Sequence, residues 1–163
     1  MGLAIAILLT LAMLGSVLWV MPSPREKQLT AMRQRAMSAR IKVRLLDQST
    51  ANKLFPWLEN YRGYVSYELP LPIGQKWSLT KPVVMRLDQS RLHELDRKKG
   101  VEGILEQLQS TVKFPDSAEA LVFYSSCVGL LWRETEGMDG CEAAIACLTQ
   151  CLKLSSEQLQ ALT

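Results

Sequence analysis

Twenty-four residues pass before the chain carries a charged side chain. The opening MGLAIAILLTLAMLGSVLWVMPSPREKQ is uncharged up to Arg25, and then charge arrives at once. A bilayer core of ~30 Å needs about 20 apolar helical residues, the length of the stretch from Gly2 to Met21. Trp19 falls near the end of that stretch, where an indole ring favours the headgroup boundary. Soluble core helices are rarely apolar on all sides over such a length. The run therefore predicts a transmembrane helix over residues 1–22, with Trp19 as its membrane-interface anchor. A cleaved signal peptide would carry a basic flank and a small-x-small cleavage site. Here the flank has no Lys or Arg, and the boundary VLWVMPSP is bulky. No cysteine follows the run to take a lipid, and Ala6 stands where myristoylation wants Ser or Thr.

The exit from the run is PSPRE. Pro22 ends one helix. Ser23-Pro24-Arg25-Glu26 then has the form of a capping box with proline at the first helical position, which predicts a helix over about 24–39. Between Arg25 and Arg44 there are seven basic residues and one acid, a segment charge of +6 that leaves −3 for the rest of a chain whose total is +3. Arg25, Lys27, Arg33, Arg35 and Arg40 form a basic collar on an amphipathic juxtamembrane helix, residues 23–40. Positive charge retains its flank in the cytoplasm, and the same side chains suit anionic headgroups. The expected placement is a bacterial inner membrane with the N-terminus outside and residues 23–163 inside. Basic charge confined to one collar does not fit a nucleic-acid binder, whose charge spreads over the folded domain.

Residues 41–163 are long enough for one domain with a core. IKVRLLD (41–47) alternates Ile41, Val43 and Leu45 with Lys42 and Arg44, the period of a half-buried strand. A short helix is expected within 50–59. YVSYELPL (64–71), KWSLTK (76–81) and VVMRLD (83–88) read as strands punctuated by Pro70, Pro72, Gly74 and Pro82. In the first, Val65, Tyr67 and Leu69 face the core and Tyr64 faces out. Residues 89–112 show helical spacing. EALVFYSS and CVGLLWRE (119–134) form two strands around a turn at Ser125–Ser126. Asp139-x-x-Glu142 caps a helix over about 140–153, and Ser155/Ser156 start a last short helix to Leu162. The order predicts an α+β fold: the transmembrane helix, the basic helix, then a small, mostly antiparallel sheet with helices packed on one face.

No chemistry-bearing set stands out. Cys127, Cys141, Cys147 and Cys151 lack the paired C-x₂₋₄-C arms of a structural zinc site. Positions 144, 147, 148, 151 and 152 instead share one apolar helical face, so these thiols read as small buried hydrophobes. His93, the single histidine, lies beside Glu94 and Asp96 without a nucleophile motif and reads as a surface residue. Phosphate-binding glycine loops are absent. No catalytic residue, metal ligand or cofactor is expected. The expected partners are the lipid bilayer through residues 1–22 and a membrane protein, with no nucleic acid.

The run LGSVLWVMPSPREKQLTAMRQRAMSARIKVRL resembles the opening of the YajC family of Sec-translocon accessory proteins, which joins one N-terminal membrane helix to a basic helix and strands. The resemblance covers about the first 45 residues. The chain has Pro-Ser-Pro-Arg where that family usually has Arg-Pro-Gln, and its body is longer. It implies a translocon accessory role. Beyond those residues the chain looks like a bacterial single-pass inner-membrane protein. The residues themselves point to a non-enzymatic accessory subunit or adaptor that binds a protein partner. The alternatives are the translocon role and a membrane-tethered enzyme whose site only the fold assembles.

Overall fold

A computed structural model describes residues 2–20, 22–87 and 113–153. The helical spacing read over 89–112, with His93, and the last helix toward Leu162 lie outside the described residues. Helix α1 spans Gly2–Val20 and α2 spans Pro24–Ser38. The exit motif works as its residues dictate. Ser23 Oγ accepts from the Glu26 amide at 3.2 Å, and the Glu26 carboxylate accepts from the Ser23 amide at 2.7 Å. At the other end of α2, Arg40 takes the left-handed conformation (φ 64°), and the Ile41 amide returns to the Ala36 carbonyl at 3.0 Å. This turn aims the chain into the sheet.

Among the described residues, no helix is long and apolar enough to cross a membrane. Helix α1 has 19 residues, about 28 Å at 1.5 Å per residue, against a hydrocarbon core of ~30 Å. Thr10 also interrupts its apolar surface, returning its hydroxyl to the Ala6 and Ile7 carbonyls. The transmembrane helix over 1–22, and the single-pass membrane reading built on it, do not stand.

The α+β class with an antiparallel sheet does stand. Strands β1 (Lys42–Leu45), β2 (Tyr64–Pro70), β3 (Val83–Arg86), β4 (Ala118–Phe123) and β5 (Cys127–Arg133) form one five-stranded sheet in the order β1-β2-β5-β4-β3. Every neighbouring pair is antiparallel. The β4–β5 hairpin turns at Ser125–Ser126, closed by Tyr124 N–H to Cys127 C=O at 2.9 Å. Helix α3 spans Gln48–Leu54, capped by the Asp47 carboxylate, and α4 spans Gly137–Cys151.

Helices cover both faces of the sheet, not one. On one face α2 and α4 bury Met32, Ala36, Cys141, Ala144 and Leu148 against Val65, Tyr67, Leu130 and Trp132. On the other, α3 and the segment after it bury Phe55 with Tyr64, Ala120, Val122 and Leu131. Tyr64, read as outward-facing, is therefore buried. Its side of β2 does face away from α2, but a second layer waits there. KWSLTK is not a strand: the Trp77 amide donates to the Ser125 carbonyl at the hairpin tip, and Trp77 and Leu79 are buried from an irregular segment. Helix α4 starts at Gly137 (φ 67°) rather than 140. The expected capping pair does not form, because Asp139 lies inside the first turn of the helix; the Glu142 carboxylate accepts from Arg35 instead.

Candidate functional site

Among the described residues, the sheet leaves β1 as an edge strand, bonded only to β2. Burial falls off along it. Ile41, just before it, is buried, Val43 is half-buried, and Leu45 is 70% exposed. Leu45 pairs with Val65 and adjoins two hollows.

The hollow on the α2 face holds about 290 Å³. Leu29 of α2, Leu45 and Val65 supply its apolar lining, and Gly63 and Thr135 lie at its margin. Among the described residues, Arg25, Arg33, Arg62 and Arg133 line it with a single carboxylate, Glu134. That carboxylate is already engaged. Its side chain is 4% exposed and accepts from Arg33 Nε at 3.0 and 3.1 Å and from Tyr67 Oη at 2.9 Å. The Glu134 hydrogen bond raises the Arg33 guanidinium further, and burial, then Glu134, pushes up the Tyr67 phenol. A bidentate, partly buried pair of this kind fixes geometry more than it adds net stability. Here it clamps α2 to the end of β5. The Arg133 guanidinium lies 4.4 Å from the centre of the Tyr64 ring.

The groove on the opposite face holds about 440 Å³. Arg44, Ser66 and Glu68 line it from the sheet, Asp47 and Thr50 from the start of α3, and Tyr124 and Cys127 from the hairpin. Arg44 pairs with Glu68 at 3.3 Å. Burial, then the nearby Glu68, pushes the Tyr124 phenol up to about 12 and raises the Cys127 thiol. Both groups stay protonated at neutral pH, so the groove offers hydrogen bonds rather than an activated nucleophile.

The residues singled out from the sequence fall in different places. Arg25 and Lys27 are exposed on the first turns of α2. Arg33 is bound to Glu134. Arg35 is bound to Glu142 at 2.6 Å, with both side chains about half exposed, where such pairs contribute little. Arg40 makes the turn after α2, and Trp19 lies in the last turn of α1. The basic helix thus packs on the domain, with Cys141 Sγ donating to the Met32 carbonyl at 3.4 Å. Cys141, Cys147 and Cys151 are fully buried, and Cys127 is half-buried. Among the described residues, no group of His, Cys, Asp or Glu is arranged to hold a metal ion. Sequence reasoning missed Leu45, Arg62 and Glu134. Leu45 was assigned to the core by alternation, although flanking Lys42 and Arg44 are the charges an edge strand carries. Nothing local marks Glu134, whose partner lies 101 residues away. Comparison of the chain with known protein families, with curated proteins and with solved structures finds no match.

Proposed function

We propose that the domain is a non-enzymatic accessory or adaptor module that binds a protein partner along the β1 edge. The observation that carries this reading is Leu45, a large apolar side chain 70% exposed at the end of an edge strand, between two hollows. An edge strand offers unpaired backbone donors and acceptors to an added segment. An exposed leucine beside concave surface gives that segment an apolar anchor. Three carboxylates of the domain are committed to the fold. Glu134 clamps α2, Asp47 caps α3, and Glu136 accepts from the Asp116 and Ser117 amides at 2.9 and 2.7 Å. The test is Leu45→Asp in the full chain. Because Leu45 is exposed, the circular dichroism spectrum and melting point should stay within error of wild type. A partner that co-elutes with wild type should be lost from the variant. Retention of that partner at wild-type stoichiometry would overturn the reading.

A further inference from the structure

We infer that the arginine-lined hollow between α2 and the ends of β1, β2 and β5 receives the carboxylates of an acidic segment of that partner. The inference rests on the adaptor reading and adds the chemistry of the occupant. Among the described residues, four arginines and one glutamate line the hollow. Glu134 is consumed by Arg33 and Tyr67, and its charge is matched by Arg33 alone. The Arg133 guanidinium is held over the Tyr64 ring, on the face away from α2, so the rim charge comes from Arg25 and Arg62. Arg25 and Arg62 have no carboxylate partner among the described residues. The hollow therefore presents a net positive rim over the apolar surface of Leu29, Leu45 and Val65.

Charge complementarity selects an anionic occupant, and the guanidinium fork matches carboxylates in bidentate geometry. The apolar surface selects an occupant with a hydrophobic side chain beside its charges, which an acidic peptide segment has and a bare inorganic anion lacks. The volume of about 290 Å³ sits at the lower limit of small-molecule pockets, ~300–1,000 Å³, and favours the side chains of a segment over a whole cofactor. Leu45 joins this hollow to the open β1 edge, so one extended segment reaches both.

The experiment uses the full chain and follows fluorescence anisotropy of a labelled peptide in which glutamates flank a leucine pair. A counterpart with glutamine for every glutamate serves as control. The acidic peptide should bind, and binding should weaken as salt rises. The glutamine peptide and the double variant Arg25→Ala/Arg62→Ala should each bind about tenfold more weakly. Both arginines are exposed, so the variant should keep its wild-type melting point. Inorganic phosphate at matched ionic strength should not displace the peptide. Equal binding by the glutamine peptide, equal binding by the double variant, salt-independent binding, or displacement by phosphate would each overturn the inference. If Leu45→Asp loses the partner while the acidic peptide fails to bind, the adaptor reading stands and the acidic-segment inference falls. If the peptide binds as expected while Leu45→Asp keeps the partner, the site stands and the edge-docking reading falls.

Discussion

Replacing Glu134 by glutamine should loosen the join between α2 and the sheet. The carboxylate is nearly inaccessible, 4% exposed, whereas the Arg33 side chain is 33% exposed. Removing one partner from a buried ion pair costs about 3–5 kcal/mol, largely because the other charge is stranded. Here water reaches Arg33, so its guanidinium can rehydrate, and glutamine retains an oxygen that can accept from Tyr67. Both effects bring the expected loss down to about 2 kcal/mol. For a chain of this length that is a fall of about 4–8 °C in melting temperature. Tyr67→Phe removes one buried hydrogen bond and should lose about 1 kcal/mol. Urea unfolding followed by far-ultraviolet circular dichroism measures both, read as a shift of midpoint at unchanged slope. A cycle with Arg33→Met should return a coupling energy of at least about 1 kcal/mol between positions 33 and 134. Stability of Glu134→Gln within about 0.5 kcal/mol of wild type would refute the clamp, since that is the scatter of ordinary surface substitutions.

The buried thiols and the capping carboxyls give two further expected outcomes. Native protein should release one thiol to an aromatic disulfide reagent, Cys127; Cys141, Cys147 and Cys151 should react only after denaturation, because they are fully buried. Burial raises the Cys141 thiol, and a hydrogen bond with Cys151, together with burial, raises Cys147. On the acid side, hydrogen bonds from Ser49 and then Thr50 depress the Asp47 carboxyl. Burial opposes ionisation of Glu136, but the Ser117 and Asp116 hydrogen bonds outweigh it and hold that carboxyl below its usual range. The stability these groups add is complete above their unfolded values, ~3.9 for Asp and ~4.3 for Glu, and is lost as pH falls through the lower folded values. Asp47→Asn and Glu136→Gln should therefore show a shallower fall of stability below about pH 4.5 than wild type, measured by urea midpoints across the acid range.

Local sequence carried the parts of the fold that local forces decide. The Ser23–Glu26 capping box placed the start of α2, and alternation placed Val65, Tyr67 and Leu69 in the core. The hairpin at Ser125–Ser126 was legible because its two flanks are apolar and β-rich around a polar turn. Long-range choices were not legible. Arg33 and Arg35 read as solvent- or membrane-facing charges, yet both find carboxylates more than 100 residues away. Tyr64 and Leu45 exchanged their expected surroundings. The α3 layer covers the first, and the edge position of β1 uncovers the second, and neither follows from a period of two. The same limit applies to the opening run, whose composition met the requirement for a membrane span more readily than the observed helix does. The candidate site was legible only in Arg25 and Arg33 of α2, since most of its remaining lining comes from three strand ends that topology brings together.

The adaptor account is tested most directly by a photoreactive amino acid placed at position 45 in the full chain, in cells, with Thr80 as an exposed control away from β1. The account predicts one discrete protein adduct at position 45 that is absent at position 80 and is weakened by the Arg25→Ala/Arg62→Ala pair. Adducts of equal yield at both positions, or no adduct at position 45, would contradict it.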